Sequence, residues 1–94
     1  MNYDIQLAAL EEFKSFLENF REEMGDKLIA YGNKFGALRE SVDIHIAEKY
    51  ATDYCDPNTQ VLRNLMDSIA DHALPYIRDQ ISITEEAIRR AGMG

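Results

Sequence analysis

The sequence predicts an all-α fold: a single domain over residues 1–94 built as a long antiparallel helical hairpin that dimerises into a four-helix bundle. Three observations carry this expectation. Apolar residues recur every seventh position through Leu10, Leu17, Met24, Tyr31 and Leu38, with Phe13, Phe16, Phe20, Leu28, Phe35 and Val42 between them. At about 100° per residue these share an arc of roughly 120° on one helix. No proline occurs before Pro57, and a second apolar stripe of the same period follows it. No segment alternates apolar and polar residues as a half-buried strand does.

The first helix starts near Asp4, a residue type suited to an N-cap, with acids in the early turns as the helix dipole favours. It runs to at least residue 40, roughly 55 Å at 1.5 Å per residue. Gly25, Gly32 and Gly36 are its soft points, each costing about 1 kcal/mol relative to alanine. The stripe keeps its phase across all three, so the helix is read as continuous. Gly32 and Gly36, four apart, leave a smooth patch.

Residues 39–50 fit two descriptions. Val42, His45 and Ile46 stay on the apolar arc and extend the helix; alternatively the hairpin turn lies at about 41–46, near Ser41 and Asp43. The clearest break is Tyr54-Cys-Asp-Pro-Asn-Thr59, where Asp56 and Pro57 form a good N-cap and N1 pair, placing the turn at 55–58. The second helix then runs to about Ala91. Leu62, Leu65, Met66, Ile69, Ala73, Tyr76, Ile77, Ile83 and Ala87 are expected on its inner face, with Ile81 and Ile88 flanking. Pro75 should kink it at Leu74 or split it. Ser82-Ile-Thr-Glu85 reads as a capping box that restarts a short last helix, and Gly92 as its stop. Gln80 and Thr84 lie near the middle of the apolar face, where they either fix register or partner choice as buried polar groups or mark an end of the helix that is frayed or exposed.

Composition narrows the function. The chain has 94 residues, 46% of them hydrophobic, and a net charge of −7. That charge repels phosphate backbones and anionic membrane faces, which argues against nucleic-acid and lipid partners. Cys55 is the only cysteine, so no intrachain disulfide is possible. The start carries Asp4, Glu11 and Glu12 where a signal peptide has a basic start and an apolar core. The expectation is a cytoplasmic protein, exported, if at all, without a cleaved signal peptide.

Chemistry-bearing constellations are weak. His45 and Glu48 are three apart beside Asp43, but di-metal bundles use the order Glu-x-x-His and further core carboxylates. Asp71-His72 has neither a nucleophile nor a third orienting group. Cys55 has no adjacent base. No phosphate loop, paired-cysteine zinc pattern or catalytic serine motif occurs. No catalytic residue, cofactor or metal ligand is assigned.

The run Ala9-Leu-Glu-Glu-Phe-Lys-Ser-Phe-Leu-Glu-Asn-Phe20 resembles the opening helix of the Trp-x-Gly-type (Esx-like) small helical hairpins associated with type VII secretion. The segment Leu74-Pro-Tyr-Ile-Arg-Asp-Gln-Ile-Ser-Ile-Thr-Glu-Glu-Ala-Ile88 is similar to the closing helix of their looser relatives. The chain has no tryptophan, and Ser41-Val-Asp-Ile-His45 stands where the Trp-x-Gly turn falls. The family's export signal, tyrosine followed four later by an acid, does not occur at Tyr50 or Tyr76. The resemblance implies a hairpin that dimerises and acts by binding.

The four phenylalanines lie within the first 35 positions, more apolar surface than one neighbouring helix covers. The expected partner interface is therefore Leu10, Phe13, Phe16, Leu17, Phe20, Met24, Tyr31 and Phe35. Its partner is expected to be a second copy or a related hairpin, in a homo- or hetero-dimer that serves a larger effector protein. The alternative is a small acidic helical inhibitor or regulator of a nucleic-acid enzyme, of phage origin for example.

Overall fold

The computed structural model describes residues 2–93. Helix α1 spans Tyr3–Ser41 and α2 spans Ile44–Tyr50. A widened turn at Ala51–Cys55 leads into α3, Asp56–Ser68; a second at Ile69–Ala73 leads into α4, Leu74–Met93. No strand occurs among the described residues.

The N-cap of α1 is Asn2 rather than Asp4. Its Oδ1 accepts from the backbone N–H of Asp4 at 2.9 Å and of Ile5 at 3.2 Å, satisfying two donors that have no intrahelical partner. Asp4 sits in the first turn, where its charge favours the helix start. The helix continues through Gly25, Gly32 and Gly36, as the unbroken phase of its stripe requires.

The hairpin turn is Val42-Asp43. Asp43 leaves helical geometry with ψ at 142°, and its carboxylate accepts from the His45 N–H at 2.8 Å. Asp56-Pro57, the stronger motif by composition, is no break at all. The helix passes through it because the preceding turn is widened: the Asp56 N–H bonds to the Ala51 carbonyl, five residues back. Pro75 is accommodated likewise, with the Leu74 N–H bonded to the Ile69 carbonyl. A proline ring collides with the carbonyl four residues earlier and supplies no N–H. A π turn ending two residues before each proline absorbs both defects.

Each π turn adds one residue and so rotates the inner face. Buried Ile69 is followed by buried Leu74, five positions on. Beyond it Leu74, Ile81 and Thr84 are buried, with Ile77 packed beside them. The expected inner stripe thus turns partly outward: Tyr76 is 59% and Ile83 60% exposed. The capping box at Ser82–Glu85 is not used either; α4 is continuous, and Thr84 instead donates to the Gln80 carbonyl at 2.7 Å.

The chain is all-helical and hairpin-like, and it divides into two compact units. One holds the residues up to Phe20 and those from Ser68 onward. There α1 and α4 run in opposite directions, with Gln6 meeting Thr84 and Glu18 facing Arg78 at 3.9 Å. Leu17, Ile69 and Leu74 form its buried centre, and Phe20, Ala73 and Ile77 pack against them. Thr84, 1% exposed, accepts from Gln6 Nε2 at 2.8 Å. Among the described residues no buried side-chain nitrogen or oxygen lacks a partner.

The other unit is Arg21–Asp67. Its buried residues are small: Ala47, Ala51 and Cys55, four apart, one below another. Arg21 Nε donates to the Met66 carbonyl at 3.2 Å. The Tyr31 and Tyr50 hydroxyls share a hydrogen bond at 2.7 Å, and Asn58 Nδ2 donates to Tyr31 Oη at 3.3 Å. The Phe35 ring stacks on Tyr50, the Tyr54 ring is tilted against Tyr50, and the Arg39 guanidinium lies 5.2 Å from the Phe35 centroid. The Arg21–Met66, Tyr31–Tyr50, Asn58–Tyr31 and Phe35–Tyr50 contacts join residues distant in sequence and set the register of this unit.

Candidate partner interface

Phe13, Phe16 and Phe20 recur at three- and four-residue spacing, so helical geometry brings their rings into one row. The Phe13 and Phe16 centroids are 6.0 Å apart with planes at 21°, and those of Phe16 and Phe20 are 5.9 Å apart at 28°. Phe20 anchors this ladder, because it packs against the buried Leu17–Ile69–Leu74 centre. Phe13 and Phe16 extend the ladder into solvent, 48% and 55% exposed. Both are held by their neighbours in the row, so the surface they present is ordered without being covered.

Beside them lies an open cleft of about 400 Å³ lined by Ala9, Glu12, Phe13 and Phe16. Exposed Ala9 contributes only a methyl group to the lining. Glu12 is the one charged side chain in its lining. No lysine or arginine lies within 4.0 Å of the Glu12 carboxylate among the described residues.

The remaining residues expected at the interface have other places. Leu17 is buried in the centre of its own unit and Leu10 is half-buried. Met24, Tyr31 and Phe35 are half-buried in the other unit, where Tyr31 and Phe35 engage Tyr50. The structure therefore joins Phe13, Phe16 and Phe20 into one row, buries Leu17, and holds Met24, Tyr31 and Phe35 in the other unit. Sequence periodicity put Ile83 on the inner face, but it is 60% exposed. It lines a second open cleft of about 550 Å³ with Tyr3, Ser82, Glu86, Ala87 and Arg90. The missing signal was the π turn, which has no periodic signature.

Two titratable groups are shifted by their neighbours. The Tyr50 phenol is raised above its ordinary value, first by its hydrogen bond with Tyr31 and then by desolvation. Lys49 is raised by its hydrogen bond and ion pair with Asp53 at 2.9 Å. The first shift comes from a contact between two helices, the second from an exposed i,i+4 pair along one. Among the described residues no three His, Cys, Asp or Glu side chains converge as a metal site would require. No described helix is long and apolar enough to cross a membrane.

What the geometry defines is an all-helical, hairpin-like chain with an ordered aromatic ladder open to solvent. Comparison with protein-family models, curated proteins and solved structures finds no match.

Proposed function

We propose that this chain is a non-enzymatic partner or adaptor protein that acts by helix-to-helix docking, completing a homo- or hetero-dimeric bundle through the Phe13–Phe16 face. One observation carries the reading: two stacked phenylalanines, anchored by Phe20, stand half-exposed on a continuous helix. Large aromatic side chains contribute heavily to protein interfaces, and in water this pair forgoes that contribution. The resemblance of residues 9–20 and 74–88 to Esx-like hairpins adds a setting to this proposal. In that setting the protein is made in the cytoplasm, serves a larger effector and leaves, if exported, without a cleaved signal peptide.

The test is light scattering on the chain alone and with a candidate partner, comparing wild type with Phe13→Ser/Phe16→Ser. The double variant should keep its helical circular dichroism and lose the complex. Unchanged assembly would refute the placement.

The competing proposal, an acidic inhibitor of a nucleic-acid enzyme, is favoured by the net charge of −7 and by the engagement of Arg78, Arg89 and Arg90 with Glu18 and Glu86. Binding that collapses with salt and ignores the double phenylalanine substitution would select it.

A further inference from the structure

The cleft residues Ala9, Glu12, Phe13 and Phe16 stand at i, i+3, i+4 and i+7. That is the four-residue hole which receives one side chain of a facing helix in knobs-into-holes packing. In heptad terms Phe13 and Phe20 are a positions, Ala9 and Phe16 are d positions, and Glu12 is a g position. Residues at g and e flank such a seam and choose its partner by charge.

We infer that this hole receives an apolar side chain from a helix of a different protein, one that carries lysine or arginine where it faces Glu12. The inference rests on reading the Phe13–Phe16 face as the interface, and it decides between the homo- and hetero-dimer. Across a symmetric Phe13–Phe16 seam a second copy of the chain offers Glu12 nothing suitable, since the arginines of its α4, Arg78, Arg89 and Arg90, lie off that seam and are engaged with Glu18 and Glu86. Along the same seam its g positions are Ile5, Glu12 and Asn19, and its e positions are Leu10 and Leu17. None is cationic, and Leu17 is buried in its own unit. An antiparallel pair of copies sets uncharged or acidic g residues against Glu12. A parallel pair sets Leu17 against it. A basic-flanked helix fills the hole with its knob and meets the carboxylate with a cation.

The probes are two synthetic three-heptad peptides with identical leucine seams, one with lysine at every flanking position and one with glutamate. Binding is measured by fluorescence anisotropy near physiological salt, and self-association by sedimentation equilibrium. Two exposed positions are varied: Ala9→Leu fills the hole, and Glu12→Lys reverses its charge. The lysine peptide should bind wild type at least about tenfold more tightly than the glutamate peptide. Ala9→Leu should weaken it by about tenfold or more, and Glu12→Lys should narrow the preference at least about threefold. Equal binding of the lysine peptide to wild type and Ala9→Leu would overturn the inference, because net charge alone would then explain it. Self-association that Ala9→Leu abolishes, with no peptide bound, would also overturn it while leaving the Phe13–Phe16 face as an interface. If neither self-association nor peptide binding responds to Ala9→Leu, both readings fall.

Discussion

Gln6 and Thr84, 78 positions apart in sequence, share a hydrogen bond of 2.8 Å at a position only 1% exposed. Thr84 also donates to the Gln80 carbonyl, so its hydroxyl is used in both directions. A buried hydroxyl that is fully engaged fixes which turn of α4 lies opposite Gln6, because any slip leaves a polar group dry and unpaired. Thr84→Val should therefore cost about 1–2 kcal/mol. Gln6→Leu added to it should recover part of that loss, since both partners are then apolar. Urea unfolding of the two single variants and the double variant gives the coupling directly.

Leu17 and Phe16 are neighbours with opposite surroundings. Leu17→Ala opens a cavity in the Leu17–Ile69–Leu74 centre and should destabilise by about 2–4 kcal/mol. Phe16→Ser, on the exposed side of the ladder, should stay within about 1 kcal/mol. A thermal melt separates them, and a large loss for Phe16→Ser would show that its ring supports the fold itself.

Asp43 and Asp56 make a second contrast. Asp43→Ala removes the carboxylate that caps α2 and should cost about 1 kcal/mol. Asp56→Ala lies inside a continuous helix and should change stability by no more than about 0.5 kcal/mol. Chemical denaturation of the two variants decides which aspartate marks a helix start.

The Tyr31–Tyr50 pair should be visible in an alkaline titration. Tyr50 is raised by its hydrogen bond with Tyr31, so its protonated form is favoured in the folded chain. Its contribution to stability is complete below the ordinary tyrosine range and disappears as pH rises through the raised value. Among the five tyrosines, Tyr50 should ionise late in the ultraviolet titration of tyrosinate. Tyr31→Phe should bring it back toward the ordinary range, and no change in that variant would assign the shift to another cause.

Sequence reading reached the parts of this fold that depend on period alone. The stripe through Leu10, Leu17 and Met24 keeps one phase across the whole of α1, and glycine does not disturb phase. The phenylalanine row was legible for the same reason. The turn was ambiguous because Asp56-Pro57 carries the stronger local start signal, while Asp43 has only a carboxylate and a favourable place. The inner face of α4 was misjudged because a periodic pattern counts residues, and a π turn changes how many residues make one revolution. The Tyr31–Tyr50–Asn58 bonds and the Gln6–Thr84 bond were illegible because their partners belong to different helices. Only the folded register brings them together.

Between Ile69 and Leu74 the helix uses five residues where an ordinary turn uses four. The segment that follows holds two overlapping messages, one through Leu74, Ile77, Ile81 and Thr84, the other through Ala73, Tyr76, Ile83 and Ala87. Which of them becomes interior depends on a single unit of chain length upstream, much as a reading frame depends on one nucleotide. Wound as an ordinary turn at the same chain length, residues 69–73 would bring Ala73, Tyr76, Ile83 and Ala87 into phase with Ile69, whereas deleting one residue from that stretch would let Leu74, Ile77, Ile81 and Thr84 stay inside without the widened turn.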